Sequence, residues 1–284
     1  MPLETAAGRS RFALTVAVGL AAGFLSGLFG IGGGILVVPG LVIVLKMGQR
    51  LAHGTSLGAI VPISVAGVIG YAIDHNVDWA AGGLIIVGAV VGAAVGARLL
   101  GRLPERTLRY AFALFLIATA VRLIISTPTP SGRGPIDVWI GLGLVGLGLL
   151  AGVLAGLLGV GGGIVIVPVL VVAFGVPSVI AKGTSLLVII PTAISGTFVN
   201  RRRGNVDLAV AAIVGLSGAA AAYGGAKLSA HISSELSSIL FGALLMVVAV
   251  RLLLTRDRDG RGAGESSAGA AVTAPEPGSL RPPP

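Results

Sequence analysis

The stretch Gly30-Ile31-Gly32-Gly33-Gly34-Ile35-Leu36-Val37-Val38-Pro39 is used a second time as Gly159-Val160-Gly161-Gly162-Gly163-Ile164-Val165-Ile166-Val167-Pro168. Each copy lies between long apolar runs, so glycine loosens the backbone at a depth where a membrane helix would ordinarily stay closed. Three consecutive glycines weaken a helix by roughly 2 to 3 kcal/mol relative to alanine, about 1 from each. Irregular backbone inside a bilayer is tolerated where it is buried in protein or lines a cavity. A broken helix also presents free N–H groups and the positive end of a dipole, which suit an anion. Gly32, Gly33, Gly34, Gly161, Gly162 and Gly163 are therefore candidate substrate contacts, and Pro39 and Pro168 downstream are candidate gating positions.

The chain around them is a membrane chain. With 55% hydrophobic and 11% charged residues and a mean hydropathy of +1.00 over 284 residues, it carries more apolar surface than a soluble domain of this size can hide. Ten apolar segments are predicted, at roughly 11–29, 31–45, 55–73, 79–100, 107–125, 137–158, 160–174, 184–199, 206–228 and 235–254. Most have the length of an α-helix crossing a core of about 30 Å, and none alternates as a barrel strand would. The run from Arg11 superficially resembles a signal peptide, but it has a twin in mid-chain and is expected to stay. The tail 255–284 is charged and then rich in Gly, Ala, Ser and Pro, and is expected to be disordered and cytoplasmic.

The formal charge of +9 does not point to nucleic acid, because the basic residues sit at the ends of apolar runs and are not gathered on a polar domain. The chain has no cysteine, which excludes disulfides, thiolate metal sites and thiol catalysis. His53, His75 and His231 have no metal spacing and are read as loop residues, so no metal or cofactor is expected. The glycine run lacks the strand, the spacing and the following Lys of a phosphate loop. No nucleophile and base are paired within the apolar spans, so an enzyme is not expected.

Shifting the chain by 129 residues lays its second half on its first without a gap. Gly54-Thr55-Ser56-Leu57 falls on Gly183-Thr184-Ser185-Leu186, Pro62 on Pro191, and Asn76-Val77-Asp78 on Asn205-Val206-Asp207. Arg98 falls on Lys227, and about a third of the aligned positions are identical, which marks an internal duplication. The expected layout is a first membrane repeat at 11–125 after a cytoplasmic segment 1–10, an extracytoplasmic linker 126–136, and a second repeat at 137–254. Five segments per repeat is an odd number, so the halves enter the membrane from opposite sides; three, if the first two segments form a re-entrant hairpin, preserves the inversion. With the N-terminus inside, sixteen basic residues fall on the inner side and only Arg122, Arg133, Lys182 and Lys227 on the outer, as the positive-inside rule requires. The fold class is thus all-α, a polytopic transmembrane helical bundle of two inverted-topology repeats, with both termini cytoplasmic.

The remaining motifs each have a structural and a functional reading. Gly-Thr-Ser-Leu opens the third and eighth segments, where Thr55, Ser56, Thr184 and Ser185 suit both helix capping and contact with an oxyanion. Asn76, Asp78, Asn205 and Asp207 read as N-caps of the segments that follow. Arg98 and Lys227 are snorkelling anchors on one reading and draw anions into the two mouths of a pathway on the other. Gly88, Gly92 and Gly96 read as helix-packing positions.

Two copies of a Gly-[Ile/Val]-Gly-Gly-Gly run ending in Pro, each followed by Gly-Thr-Ser-Leu, a second Pro and Asn-Val-Asp, resemble the sulfite exporter TauE/SafE family of membrane permeases over about residues 12–254. The resemblance implies a polytopic inner or plasma membrane protein that moves small anions, with sulfite and organosulfonates as named substrates. It places the family's glycine signature on Gly30, Gly32, Gly33, Gly34 and Pro39 and on Gly159, Gly161, Gly162, Gly163 and Pro168, with its Thr-Ser pairs on Thr55, Ser56, Thr184 and Ser185. The expected function is export or permeation of a small anion by alternating access. The expected partners are that anion and the lipid bilayer, with a homo-oligomer compatible and no nucleic acid. A non-transporting membrane scaffold or assembly partner is the alternative, separated by whether reconstituted protein takes up anion above empty liposomes.

Overall fold

A computed structural model describes residues 6–99, 105–125, 134–158 and 162–254, and within these every regular element is a helix. In chain order they are α1 (Ala6–Phe29), α2 (Gly34–Ile43), α3 (Gln49–Ile73), α4 (Trp79–Leu99), α5 (Glu105–Ile125), α6 (Val138–Leu158), α7 (Gly163–Phe174), α8 (Ser178–Arg202), α9 (Leu208–His231) and α10 (Ser234–Leu254). The expected linker at 126–136 lies mostly outside the described residues, and the tail at 255–284 wholly so. Five of the helices are long and apolar enough to cross a membrane within the described residues. Large apolar side chains stand exposed around the bundle, Trp139 at 80% and Leu216 at 68%, a surface that only lipid solvates. The protein is a multi-pass membrane protein.

The third and eighth helices start six residues earlier than their apolar cores suggest. Gly48 and Pro177, both extended, precede them and end the irregular backbone there. Polar first turns carrying Gln49, Arg50 and His53, or Ser178 and Lys182, then continue as helix, because a helix needs no apolar start. His53 and Lys182 consequently belong to helices, not loops. Gly-Thr-Ser-Leu lies more than a turn inside each and does not cap it.

α2 and α7, of 10 and 12 residues, are too short to cross: at about 1.5 Å per residue they reach roughly half of a 30 Å core. Each folds back along the helix before it. A Cβ placed on Gly33 would stand 3.3 Å from Ala22 O, and one on Gly40 2.6 Å from Val18 Cγ1, so α2 runs antiparallel to α1. Gly162 against Ala151 and Gly143 against Phe174 give the same course for α6 and α7. The first two segments of each half are therefore hairpins.

The halves interlock through reciprocal pairs. α1 packs on α9 as α6 packs on α4, and α3 lies against α8. The α3–α8 pair, equivalent under the repeat, is antiparallel: a Cβ on Gly67 would meet Leu186 Cδ1 at 2.6 Å, and one on Gly196 would meet Leu57 Cδ1 at 2.9 Å. Inverted repeats require such a course. In the α4–α6 seam, Gly88 and Gly92 face the backbone carbonyls of Val145 and Leu149, and a Cβ would come within 2.1 and 2.2 Å of them. Small residues there bring two helix backbones into direct contact, as their spacing in the sequence predicts.

Gly-Thr-Ser-Leu and Asn-Val-Asp turn out to be two sides of one joint. Thr184 Oγ1 accepts the backbone N–H of Asp78 at 2.9 Å, and Thr55 Oγ1 accepts that of Asp207 at 2.9 Å. Beside each, glycine makes room for the other half's asparagine carbonyl: a Cβ on Gly183 would lie 2.2 Å from Asn76 O, and one on Gly54 1.8 Å from Asn205 O. Asp207 caps α9 by accepting from Ala209 and Val210, and Asp78 accepts from Ala81 at the start of α4, as expected of N-caps. Each repeat thus clasps the α4 or α9 entrance of the other.

Thr55→Val or Thr184→Val leaves a part-buried N–H without its acceptor, at a cost of about 1 kcal/mol, and is expected to lower the thermal midpoint in detergent while Thr→Ser restores it. Gly92→Leu is expected to cost more, through forced separation of α4 from α6, whereas Gly83→Leu, with nothing within 4 Å of its Cβ, is expected to fold normally; the melting curves of the pair check the seam.

Candidate functional site

The two glycine breaks come together beside the centre of the α3–α8 pair. Gly30, Gly32 and Gly33 all have left-handed φ, near 70–76°, and carry the chain from α1 into α2. Gly162, at φ 75°, does the same ahead of α7. Gly159 and Gly161 lie outside the described residues. A Cβ on Gly32 would touch Ile189 Cδ1 at 2.8 Å and Ile60 Cγ2 at 3.5 Å, residues close to the midpoints of α8 and α3. A Cβ on Gly163 would meet Ile189 Cδ1 at 2.6 Å, Gly30 O at 3.0 Å and Ser185 Oγ at 3.0 Å. The hairpin tips of the two halves therefore meet each other, and the second meets Ser185.

Gly33 and Gly162 occupy the N-cap positions of α2 and α7 and offer no side-chain cap. The first amide N–H groups of both helices are thereby left to other partners. Next to them, the Ser185 hydroxyl is fully buried with no hydrogen-bond partner, as is Ser26, whose Cβ lies 3.5 Å from the place of a Gly33 Cβ. Ser56, the repeat twin of Ser185, instead donates to His53 O at 2.8 Å. The two halves thus differ where the sequence is identical. Pro39 and Pro168 sit inside α2 and α7 and remove the amide that would bond to Ile35 and Ile164, so each short helix keeps a carbonyl free near its tip.

One turn before Ser185 stands a residue that the hydropathy boundaries place among the outer basic residues. Lys182 is wholly buried. Its Nζ donates to Ser229 Oγ on α9 at 2.9 Å and to Ser237 Oγ on α10, and it lies 5.9 Å from the centroid of the Phe29 ring. Gly30 packs on its backbone, with a Cβ position 2.6 Å from Lys182 Cα. Among the described residues the ion pair formed by a lysine is that of Lys227, so no carboxylate answers Lys182 there. Close by, Tyr71, also buried, donates its hydroxyl to Gly27 O at 2.6 Å and so ties α3 to the end of α1. The sequence carried one signal for Lys182: under the 129-residue shift it falls on His53, and both immediately precede Gly-Thr-Ser-Leu.

The other candidates lie elsewhere. Thr55 and Thr184 belong to the joint between the halves, each with an acceptor position taken by a backbone amide. Lys227 is held by both carboxylate oxygens of Asp74, at 2.8 and 2.9 Å, which offsets its charge as an attractor of anions. Arg98 is in the last turn of α4, with its side chain outside the described residues, and the repeat puts Arg203 where Asp74 stands, so that ion pair has no twin.

Family comparison agrees with the motifs. The model of the sulfite exporter TauE/SafE family matches residues 2–123 and 144–280. A probable membrane transporter protein of Methanocaldococcus jannaschii is 30% identical over 259 residues, covering 85% of this chain and 95% of its own. One of Bacillus subtilis is 25% identical over 271 residues, covering 86% and 95%, and one of Haemophilus influenzae is 32% identical over 196 residues, covering 65% and 72%. With both glycine breaks, both Gly-Thr-Ser-Leu segments and nearly the whole length matched, the chain belongs to the sulfite exporter TauE/SafE family of membrane transporters.

Proposed function

We propose that this transporter moves a small oxyanion, sulfite or an organosulfur anion, through the junction of its two hairpin tips. The observation that carries the reading is the fully buried Lys182, with Ser185 one turn further along α8 and no carboxylate answering it among the described residues. A buried cation without countercharge is expensive, and an anion is the partner that removes the cost. The uncapped amides of α2 and α7 and the unpartnered Ser185 hydroxyl supply neutral donors for oxygens that have left water. Gly163 has no room for a side chain, so the second tip lies directly against Ser185 and Gly30.

In this reading the tips form the moving part and the joints the fixed part. The helices cross with both termini on the cytoplasmic side of the cell membrane, as the distribution of basic residues favours, sixteen inner to three outer once the buried Lys182 is left out. The antiparallel α3–α8 pair supports an inverted arrangement in which one hairpin opens toward each side, which is the geometry alternating access uses. The family's name supplies sulfite as the first substrate to try.

Proteoliposomes loaded against labelled sulfite, thiosulfate and an alkyl sulfonate test this. The intact protein is expected to take up at least one of them above empty liposomes. Gly33→Leu and Gly163→Leu are expected to abolish that uptake while remaining in the membrane, and Ser185→Ala to raise the half-saturating concentration about tenfold or more, the worth of a hydrogen bond to a charged group. Uptake no greater than in empty liposomes for every anion, or uptake unchanged in both glycine variants, contradicts the reading.

A further inference from the structure

Resting on the anion-transport reading, we infer that Lys182 carries one proton with each anion, so that the anion and H⁺ cross together. The groups around its Nζ support this. From α9 comes Ser229, from α10 Ser237 and from α1 the Phe29 ring, while Gly30 packs on the lysine's backbone and Tyr71 of α3, which stands against Gly183, donates its hydroxyl to Gly27 O. None of these bears a charge at neutral pH. The charged and titratable side chains on the neighbouring helix ends have other engagements or stand exposed: Lys227 is paired with Asp74, His231 and Glu235 are exposed, and Asp78 accepts from Ala81 at the entrance of α4.

Hydroxyl partners have a particular consequence. A carboxylate would hold a lysine permanently charged, whereas a serine hydroxyl accepts from an ammonium and equally donates to the lone pair of a neutral amine. The cage formed by Ser229 and Ser237 therefore satisfies Lys182 in both protonation states. What it does not supply is countercharge, and an ammonium enclosed without one is strongly disfavoured. Above the pH at which it titrates in the closed, empty site, Lys182 is the neutral amine. When the anion is present, the amine lone pair takes a proton from the side to which the site is open, a new N–H bond forms, and the ammonium and the anion neutralise each other. On the opposite side the anion leaves and the proton leaves with it.

The two halves are unequal in a way that fits a single carrier. The repeat equivalents of Lys182, Ser229 and Ser237 are His53, Leu100 and Leu108, so the hydroxyl cage exists once. One proton per anion makes the movement of a monovalent anion electrically silent, and leaves one net negative charge for a divalent one.

The test uses the intact protein in weakly buffered detergent solution, with a pH indicator reading proton uptake as sulfite, thiosulfate or an alkyl sulfonate is titrated in. The sulfonate keeps its charge throughout the range and is the cleanest probe. The wild type is expected to take up about one proton per anion bound at a pH above the lysine's titration in the empty site. Lys182→Arg, which stays charged, is expected to bind without proton uptake, and Lys182→Gln to lose binding at least tenfold. Should either variant fail to fold, the wild-type stoichiometry decides alone. Anion binding by the wild type without proton uptake across pH 6 to 9.5, or equal proton uptake by Lys182→Gln, overturns the proton assignment and leaves anion transport standing. Absence of binding by every anion in the panel overturns both.

Discussion

A polypeptide that leaves the helix inside a bilayer must find other partners for its amide and carbonyl groups, because lipid offers none. This chain does so twice, at the tips of the α1–α2 and α6–α7 hairpins, and the rest of the architecture follows from the need to enclose those tips. They are buried by each other, by Ile60 and Ile189 on the two central helices, and by small residues that let α1 and α6 stand directly on α9 and α4. Glycine at Gly33 and Gly162 is required by the left-handed turn into each short helix, and no side chain caps the amides that follow.

The fixed and variable parts of the repeat separate cleanly. Where the two halves must hold each other, they are alike down to the hydrogen bond, as Thr55 to Asp207 and Thr184 to Asp78 demonstrate. Where the tips meet, they differ: Ser185 has no partner while Ser56 is turned back on its own helix, and Lys182 stands in place of His53. A scaffold under selection for symmetry alone would have no use for a buried lysine on one side only. In the proposed function it has one, since a single charge inside the path would set the sign of what passes and could be balanced by the cargo itself.

Much of this was legible in the sequence. Ten helices, the duplication and the packing role of Gly88 and Gly92 follow from hydropathy and spacing, because those properties are local or periodic. The joint was not, because a hydroxyl at the start of an apolar run looks like a cap until the amide it serves, 106 or 152 residues away, is brought beside it. Lys182 is hidden for a simpler reason: hydropathy begins the apolar segment after it, which puts a wholly buried lysine among surface anchors. Lys227 was the better-looking candidate by its repeat partner Arg98, yet Asp74, which the repeat does not duplicate, occupies it.

The proposed mechanism depends above all on the opposed course of the two halves along the α3–α8 pair. The absence of cysteine from the chain makes this directly measurable in membranes by paired cysteine substitution and oxidative cross-linking. Gly67→Cys with Leu186→Cys, and Leu57→Cys with Gly196→Cys, are expected to form an intramolecular disulfide readily, while Leu57→Cys with Leu186→Cys, equivalent positions of the repeat, is not. Efficient cross-linking of Leu57→Cys to Leu186→Cys, with none in the other two pairs, would mean that the halves run side by side in the same direction, and would contradict the structure and the mechanism drawn from it.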